Sequence, residues 1–202
     1  MSTLEHEHEH AAESHHLPPA LVARQQRQAV LFAILADAVF FACMLFTWFY
    51  LRSLDVDGGW IPDDGKTADT KEVWLIATVI VLSALVYRWA ETGIRASNRG
   101  RFQAGALLGL LLVVVSIGLI LRQAHSWPIL MSDGSYASTF IVMTYVLLVH
   151  LLILLVVALG IWNRGRTGKL DDGKVNHATL VGYFWYWLGL TAIVSACLTF
   201  FV

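Results

Sequence analysis

An aspartate and a histidine lie deep inside long apolar stretches of the sequence. Asp37 stands within LADAVFFACMLFTWFYLRS, and His150 stands within TYVLLVHLLI. Ionisable residues are rare in membrane-spanning segments, where they usually face the protein interior and mark a function or a partner. Asp37 could be a protonated acid that is hydrogen-bonded to a neighbouring helix or a bound lipid, or it could relay protons. We favour the structural role.

His150 could in principle bind a haem, but the sequence lacks the other ligands. A bis-His haem needs two histidines inside the spans, whereas His125 lies at the end of a span and His177 lies in a loop. A tetrahedral metal site also lacks its remaining nitrogen and sulfur ligands. We therefore expect a neutral His150 that is hydrogen-bonded to a neighbouring helix.

Aromatic residues share one face of the last apolar stretch. Tyr183, Tyr186 and Trp187 recur at positions i, i+3 and i+4 of a helix. At a rise of about 1.5 Å per residue, Tyr186 lies about 9 Å and Asp37 about 12 Å from the same membrane surface. A contact between the two is geometrically allowed, although these aromatic residues could equally serve packing or an interfacial belt.

Membrane helices must position these residues. The chain of 202 residues is 57% hydrophobic and only 14% charged, whereas soluble domains are typically about 45–50% apolar and about 25% charged. Strand-type alternation is absent, so helices are expected. We predict an all-α integral membrane bundle of five transmembrane helices, over about residues 29–51, 73–90, 104–121, 138–162 and 180–202.

The charge distribution predicts the orientation of this bundle. The side that carries the N-terminus holds ten Lys and Arg residues, and the opposite side holds four. The N-terminus is therefore expected in the cytoplasm and the C-terminus outside. We assign residues 1–27 to a disordered His/Glu-rich cytoplasmic tail, which could bind a divalent metal, and residues 28–202 to the transmembrane domain.

Other classes of chemistry find little support in the sequence. Nothing resembles a nucleophile with its base, a glycine loop that cradles phosphate, or an active site of paired carboxylates. No basic block indicates nucleic acid. The two cysteines, Cys43 and Cys197, lie in apolar stretches and are expected to be small packing residues.

From about Ala29 to Val202, the chain resembles subunit III of the haem–copper oxidases in its short, five-helix bacterial form. The resemblance rests on stretches that occur in the family's order: LADAVFFACMLFTWFYLRS (35–53), GGWIP (58–62), ATVIVLSALVYRWA (77–90), NRGRF (98–102), LRQAHSW (121–127), VLLVHLL (146–152) and YFWYWLGL (183–190).

The chain departs from the family pattern at several polar positions. Asp37 stands where the family usually has Glu, and Ser126 stands where it has an acid. Leu147 replaces the first histidine of a His-x-x-His pair, whose second member is His150. Tyr186 replaces the histidine of the last motif. The resemblance is thus to a divergent member with fewer polar groups.

The resemblance implies a subunit without its own redox centre. Family members bind no haem or copper, pack against catalytic subunit I and other oxidase subunits, hold lipids in a cleft, and keep proton uptake fast and durable. It implies haem and copper in the partner, a structural phospholipid here, and a multi-pass location in the bacterial plasma membrane. The residues expected to contact buried polar groups, lipid or a partner are Asp37, His150, Tyr186, Trp185, Tyr183, Gln123 and Arg52.

Two other functions remain open at this point. An accessory subunit of nitric oxide reductase would use the same fold, and the reduced set of polar residues is compatible with it. An independent transporter is a more distant alternative, because transporters often contain helices broken near the midplane and no proline lies inside a predicted span.

Overall fold

Five long helices make up the computed structural model, which describes residues 18–55, 58–62, 65–168 and 175–201. They are α1 (Pro19–Ser53), α2 (Thr70–Arg95), α3 (Arg99–His125), α4 (Ser135–Arg166) and α5 (Val175–Cys197), and a short 3-10 helix (Leu198–Phe201) follows. All five are long and apolar enough to cross a membrane, and the described ranges contain no strand. The predicted all-α bundle of five helices is confirmed.

The helices begin earlier and, in most cases, end later than the predicted spans. α1 starts at Pro19, so residues 19–27, which the sequence placed in the tail, form its first turns. Proline suits this position because its fixed φ angle matches the helix and its missing N–H would be unpaired there. Residues 1–17, which include all five histidines of the predicted tail, lie outside the described part of the chain, and so does the metal binding predicted for them.

Successive helices run in opposite directions, so the bundle has two distinct ends. We call the end that carries the 54–69 and 126–134 connections the Trp60 end, and the opposite one the Glu91 end. At the Glu91 end, α2 and α3 are joined by a tight turn in which Ser97 adopts a φ of 57°. The side chain of Asn98 then caps α3 by accepting a hydrogen bond from the Arg101 N–H at 3.0 Å.

The core is formed by α2, α3, α4 and α5, whereas α1 lies at its side. α2 packs most extensively against α3 and then against α5. Gly105 permits the close approach of α2 and α3, because a Cβ at this position would lie 2.7 Å from the Cβ of Ala90. α1 contacts α4 and α5 and leaves most of its apolar surface exposed, as expected of a helix that faces lipid.

A second, aromatic cluster closes the Trp60 end. Trp48 of α1 lies edge-to-face against Trp60 at 5.2 Å between ring centroids and contacts Tyr136 of α4 at 5.5 Å. The Tyr136 hydroxyl accepts a hydrogen bond from the Ala68 N–H at 3.0 Å. The cluster therefore ties α1, the 54–69 connection and α4 together at this end.

Candidate functional site

Asp37 lies where α1, α4 and α5 meet. One of its carboxyl oxygens, Oδ1, is 2.8 Å from Nε2 of His150 on α4. The other, Oδ2, accepts a hydrogen bond of 2.5 Å from the indole Nε1–H of Trp187 on α5. The Asp37 side chain thus cross-links α1, α4 and α5.

The hydrogen bonds of His150 define how many protons this group holds. Its Nδ1 lies 2.7 Å from the carbonyl oxygen of Val146, one turn earlier on α4. A carbonyl can only accept, so Nδ1 carries a proton. The contact between Nε2 and Asp37 then holds one further proton, whichever of the two atoms carries it. The Asp37–His150 pair is therefore neutral overall, which is the arrangement that a low-dielectric surrounding favours.

The Asp37–His150 pair is largely but not completely buried. The Asp37 side chain is 22% exposed and the His150 side chain is 19% exposed. Beside the pair lies an open apolar groove with a volume of about 420 Å³ between α1, α4 and α5. Its walls include Asp37, His150, Val30, Ala33, Ile34, Ile153, Val157, Leu180, Val181 and Phe184.

A second polar group surrounds Glu91, near the C-terminal end of α2, and was not predicted from the sequence. The Glu91 side chain is only 1% exposed and accepts hydrogen bonds from Arg88 at 3.0 Å, from Arg95, and from Thr179 at 3.1 Å. The hydroxyl of Tyr186 donates a fourth hydrogen bond of 2.6 Å. These contacts fully satisfy the buried carboxylate and link α2 to α5.

Tyr186 therefore contacts Glu91 rather than Asp37, although the sequence allowed the latter contact. Adjacent residues of an α-helix point about 100° apart, so the two aromatic side chains at the start of α5 diverge. Trp187 faces α1 and binds Asp37, whereas Tyr186 faces α2 and binds Glu91. Gly182 leaves space for this contact, because a Cβ there would lie 3.2 Å from the Tyr186 hydroxyl.

Trp185 belongs to the core between α2 and α5. Its Nε1–H donates to the Ser83 hydroxyl at 2.9 Å, and its ring stacks on Tyr87 at 4.2 Å between centroids. The Tyr87 hydroxyl in turn donates to the carbonyl of Ala178 at 2.8 Å. The structure places Trp185 away from the apolar groove, in a position that fixes the spacing of the two helices.

The remaining candidate residues are separate from both polar groups. Gln123 lies in the last turn of α3, is 3% exposed, and has no hydrogen-bond partner for its Nε2 among the described residues. Arg52 lies in the last turn of α1, where a cation interacts favourably with the helix dipole. Tyr183 is partly buried on α5.

Glu91 escaped prediction because it follows directly after the predicted end of the second span at residue 90. It was therefore not examined as an ionisable group inside a span. The spacing of Arg88, Glu91 and Arg95 at i, i+3 and i+7 could have revealed it, because these three residues share one helix face. Within the described residues, no group of three or more His, Cys, Asp or Glu side chains could hold a metal ion.

Comparison with known proteins identifies the family. The family model for cytochrome c oxidase subunit III matches residues 7–198. Cytochrome c oxidase subunit 3 of Homo sapiens is 31% identical over 138 residues, which cover 65% of this chain and 51% of that protein. The subunit 3 of Rattus norvegicus is 28% identical over 184 residues, which cover 87% of this chain and 67% of that protein.

The subunit 3 of Prototheca wickerhamii is similar to the chain at 27% identity over 136 residues. In the first of these matches the chain spans about half the length of the relative. The match to the family model nevertheless runs through all five helices and includes both polar groups. This chain belongs to the cytochrome c oxidase subunit III family.

Proposed function

We propose that the chain is a non-catalytic component of a haem–copper terminal oxidase complex. It packs against catalytic subunit I and other oxidase subunits in a bacterial plasma membrane, with its N-terminus in the cytoplasm. Subunit I holds the haem and copper, and the complex reduces oxygen to water while protons move across the membrane. Family membership supports this role.

The hydrogen bonds of Asp37 are the observation that best supports a non-catalytic role for this chain in the complex. Both carboxyl oxygens and both His150 nitrogens already have partners within the chain. Groups that are engaged in this way hold helices together and leave no free nucleophile or metal ligand at the pair. Asp37 and His150 therefore contribute to assembly and to sustained proton uptake by stabilising the bundle next to the partner.

The apolar groove beside Asp37 provides a place for a structural phospholipid. Its volume of about 420 Å³ falls in the range of about 300–1,000 Å³ that is usual for small-molecule sites. The side chains that line it are apolar except for the Asp37–His150 pair, so an acyl chain suits it. A lipid held here fills the gap between α1 and the rest of the bundle.

Gentle purification of the tagged chain tests the function. We expect a large partner that contains haem and copper and consumes oxygen. The Asp37→Leu complex should retain its haem spectra but lose activity sooner over successive turnovers, whereas Asp55→Leu, at an exposed loop position, should behave like the wild type. Altered haem spectra in Asp37→Leu would contradict the supporting role.

The identity of the partner separates the remaining functions. A partner with non-haem iron that reduces nitric oxide would assign the chain to a nitric oxide reductase instead. A chain that is solitary in the membrane and moves a solute in liposomes would be a transporter. Either result would overturn the oxidase proposal.

A further inference from the structure

Two small, partly open cavities lie side by side between the helices of the bundle. The first, which we call the Asp37 cavity, has a volume of about 20 Å³ accessible to the centre of a water molecule, and Asp37, His150, Thr191 and Ser195 form its polar walls. The second, which we call the Gln123 cavity, has a corresponding volume of about 40 Å³. The two share Met143, Leu147 and Ser195. A polar group thus lies at each end of an adjoining pair of cavities.

The Gln123 cavity contains hydrogen-bond donors that lack a partner. Gln123 is 3% exposed and Trp48 is 1% exposed, and both line this cavity. Neither the Nε2 of Gln123 nor the Nε1–H of Trp48 has a partner within the part of the chain that the structure describes. A buried donor without a partner destabilises the folded state. The site therefore requires a small acceptor that the described residues do not supply.

Water meets the requirements of both cavities. A buried water needs about 10–15 Å³ and two to four polar partners, and each cavity is large enough. In the Gln123 cavity, water can accept from Gln123 and Trp48 and donate to the hydroxyls of Ser195 and Thr144. The Thr144 hydroxyl already donates to the Phe140 carbonyl at 2.9 Å, so its lone pairs remain available.

We propose that ordered water fills both cavities and forms a hydrogen-bonded link between the Asp37–His150 pair and Gln123. Through this link the proton that the pair shares exchanges with the water in the two cavities. Each exchange in D₂O removes one proton and returns one deuteron, so the pair stays neutral. The inference concerns this chain alone and does not depend on the proposed oxidase role.

Transfer of magnetisation from water in solid-state NMR tests the proposal on the full-length chain in lipid nanodiscs. We expect strong transfer to the Gln123 side-chain amide and to the Trp48 indole N–H. Trp185 serves as the internal reference, because its indole N–H is buried and bonded to Ser83 and should receive little. Absence of transfer to Gln123 and Trp48 in the folded wild-type chain would overturn the proposal.

A pair of glutamine variants tests the link between the cavities. Gln123→Met should slow deuterium exchange at the ring nitrogen of His150 that faces Asp37 by about fivefold, the effect on a rate of losing one hydrogen bond of about 1 kcal/mol. Gln103→Met is the matched control, because Gln103 lies on the same helix and bonds the Gly165 carbonyl at the Glu91 end. Equal exchange rates in the two variants would contradict the link.

Xenon binding distinguishes a water-filled cavity from a dry one. Empty apolar cavities of sufficient size stay dry and bind xenon, and most side chains in these walls are apolar. We expect no xenon-induced shift of the Met143 or Leu147 methyl signals in the wild-type chain. Such shifts would show that the cavities are dry and would refute the proposal even if Gln123→Met failed to fold.

Discussion

At the scale of single residues, Asp37 and Glu91 are both acidic side chains in an apolar bundle, and different partners compensate their charges. Asp37 pairs with His150 and one indole, which leaves a neutral group within the bundle. Glu91 lies near the end of α2, where the guanidinium groups of Arg88 and Arg95 bind it while remaining about half exposed. An imidazole thus accompanies the acid within the bundle, whereas two arginines accompany the acid near the end of α2.

Replacing Asp37 tests the contribution of its hydrogen bonds. Asp37→Leu leaves the Trp187 indole N–H and the Nε2 of His150 without a partner, so we expect it to lower the free energy of unfolding by about 1–3 kcal/mol per unpaired group. Asp37→Asn should lose less, because its amide can accept from Trp187 and donate to His150. Unfolding of the chain in mixed micelles by added SDS measures both values. Equal losses in the two variants would contradict this account.

A double-mutant cycle tests the contact between Glu91 and Tyr186. We expect Tyr186→Phe and Glu91→Leu, which removes the acceptor, to destabilise the chain less together than the sum of their separate effects, with a coupling of about 0.5–3 kcal/mol. The cycle uses the same unfolding measurement. Tyr183→Phe replaces Tyr186→Phe in the control cycle, since Tyr183 lies outside the Glu91 group. Strict additivity for Glu91 and Tyr186 would refute the contact.

Much of the site could be predicted as a set of residues but not as a set of pairs. Asp37 and His150 stand out because ionisable groups in apolar stretches are few. These two residues are 113 positions apart in the chain, so their contact depends on the register of α1 against α4, which no local pattern encodes. The partners of Tyr186 and Trp187 could not be predicted either, because these adjacent side chains point about 100° apart around α5.

At the scale of the helices, α2 and α3 form the closest pair, and glycine permits it. Gly105→Ala should lower the free energy of unfolding, because its Cβ would meet both Ala90 and Trp89 at less than 3.0 Å. We expect a loss of about 1–3 kcal/mol, as for other overpacked sites. Denaturant unfolding of the detergent-solubilised chain provides the measurement.

Gly118→Ala on the same helix is the matched control. A Cβ at Gly118 would meet nothing within 4 Å, so this variant should be neutral or slightly stabilising, since alanine favours the helix. A Gly118→Ala variant that is as unstable as Gly105→Ala would show that the loss of glycine itself, rather than the contact, matters.

The number and order of the helices could be predicted because length and hydropathy determine which segments cross a bilayer. The helix ends could not be predicted in the same way. The limits of a predicted span follow the apolar content of the sequence, whereas the limits of a helix follow its backbone hydrogen bonds. α2 extends to Arg95, beyond the predicted end at residue 90. The turns beyond residue 90 remain helical although they carry polar side chains, and Glu91 is one of these side chains.

At the scale of the whole molecule, the excess of Lys and Arg at the Glu91 end predicts that this end faces the cytoplasm. Thr167→Cys and Ser132→Cys place single exposed thiols at the Glu91 and Trp60 ends, in a background that lacks Cys43 and Cys197. We expect a membrane-impermeant thiol reagent to label Ser132→Cys in intact cells and Thr167→Cys only after lysis. The reverse pattern would invert the orientation.

The position of Asp37 on α1 has a consequence for biosynthesis. His150 follows Asp37 by 113 residues and Trp187 follows it by 150. At a translation rate of about 5–20 residues per second, the ribosome needs roughly 6–30 s to produce these two partners. During that interval the nascent first helix carries an acid that has no companion from its own chain. The insertion machinery, or another subunit, must shelter this helix until the later ones emerge.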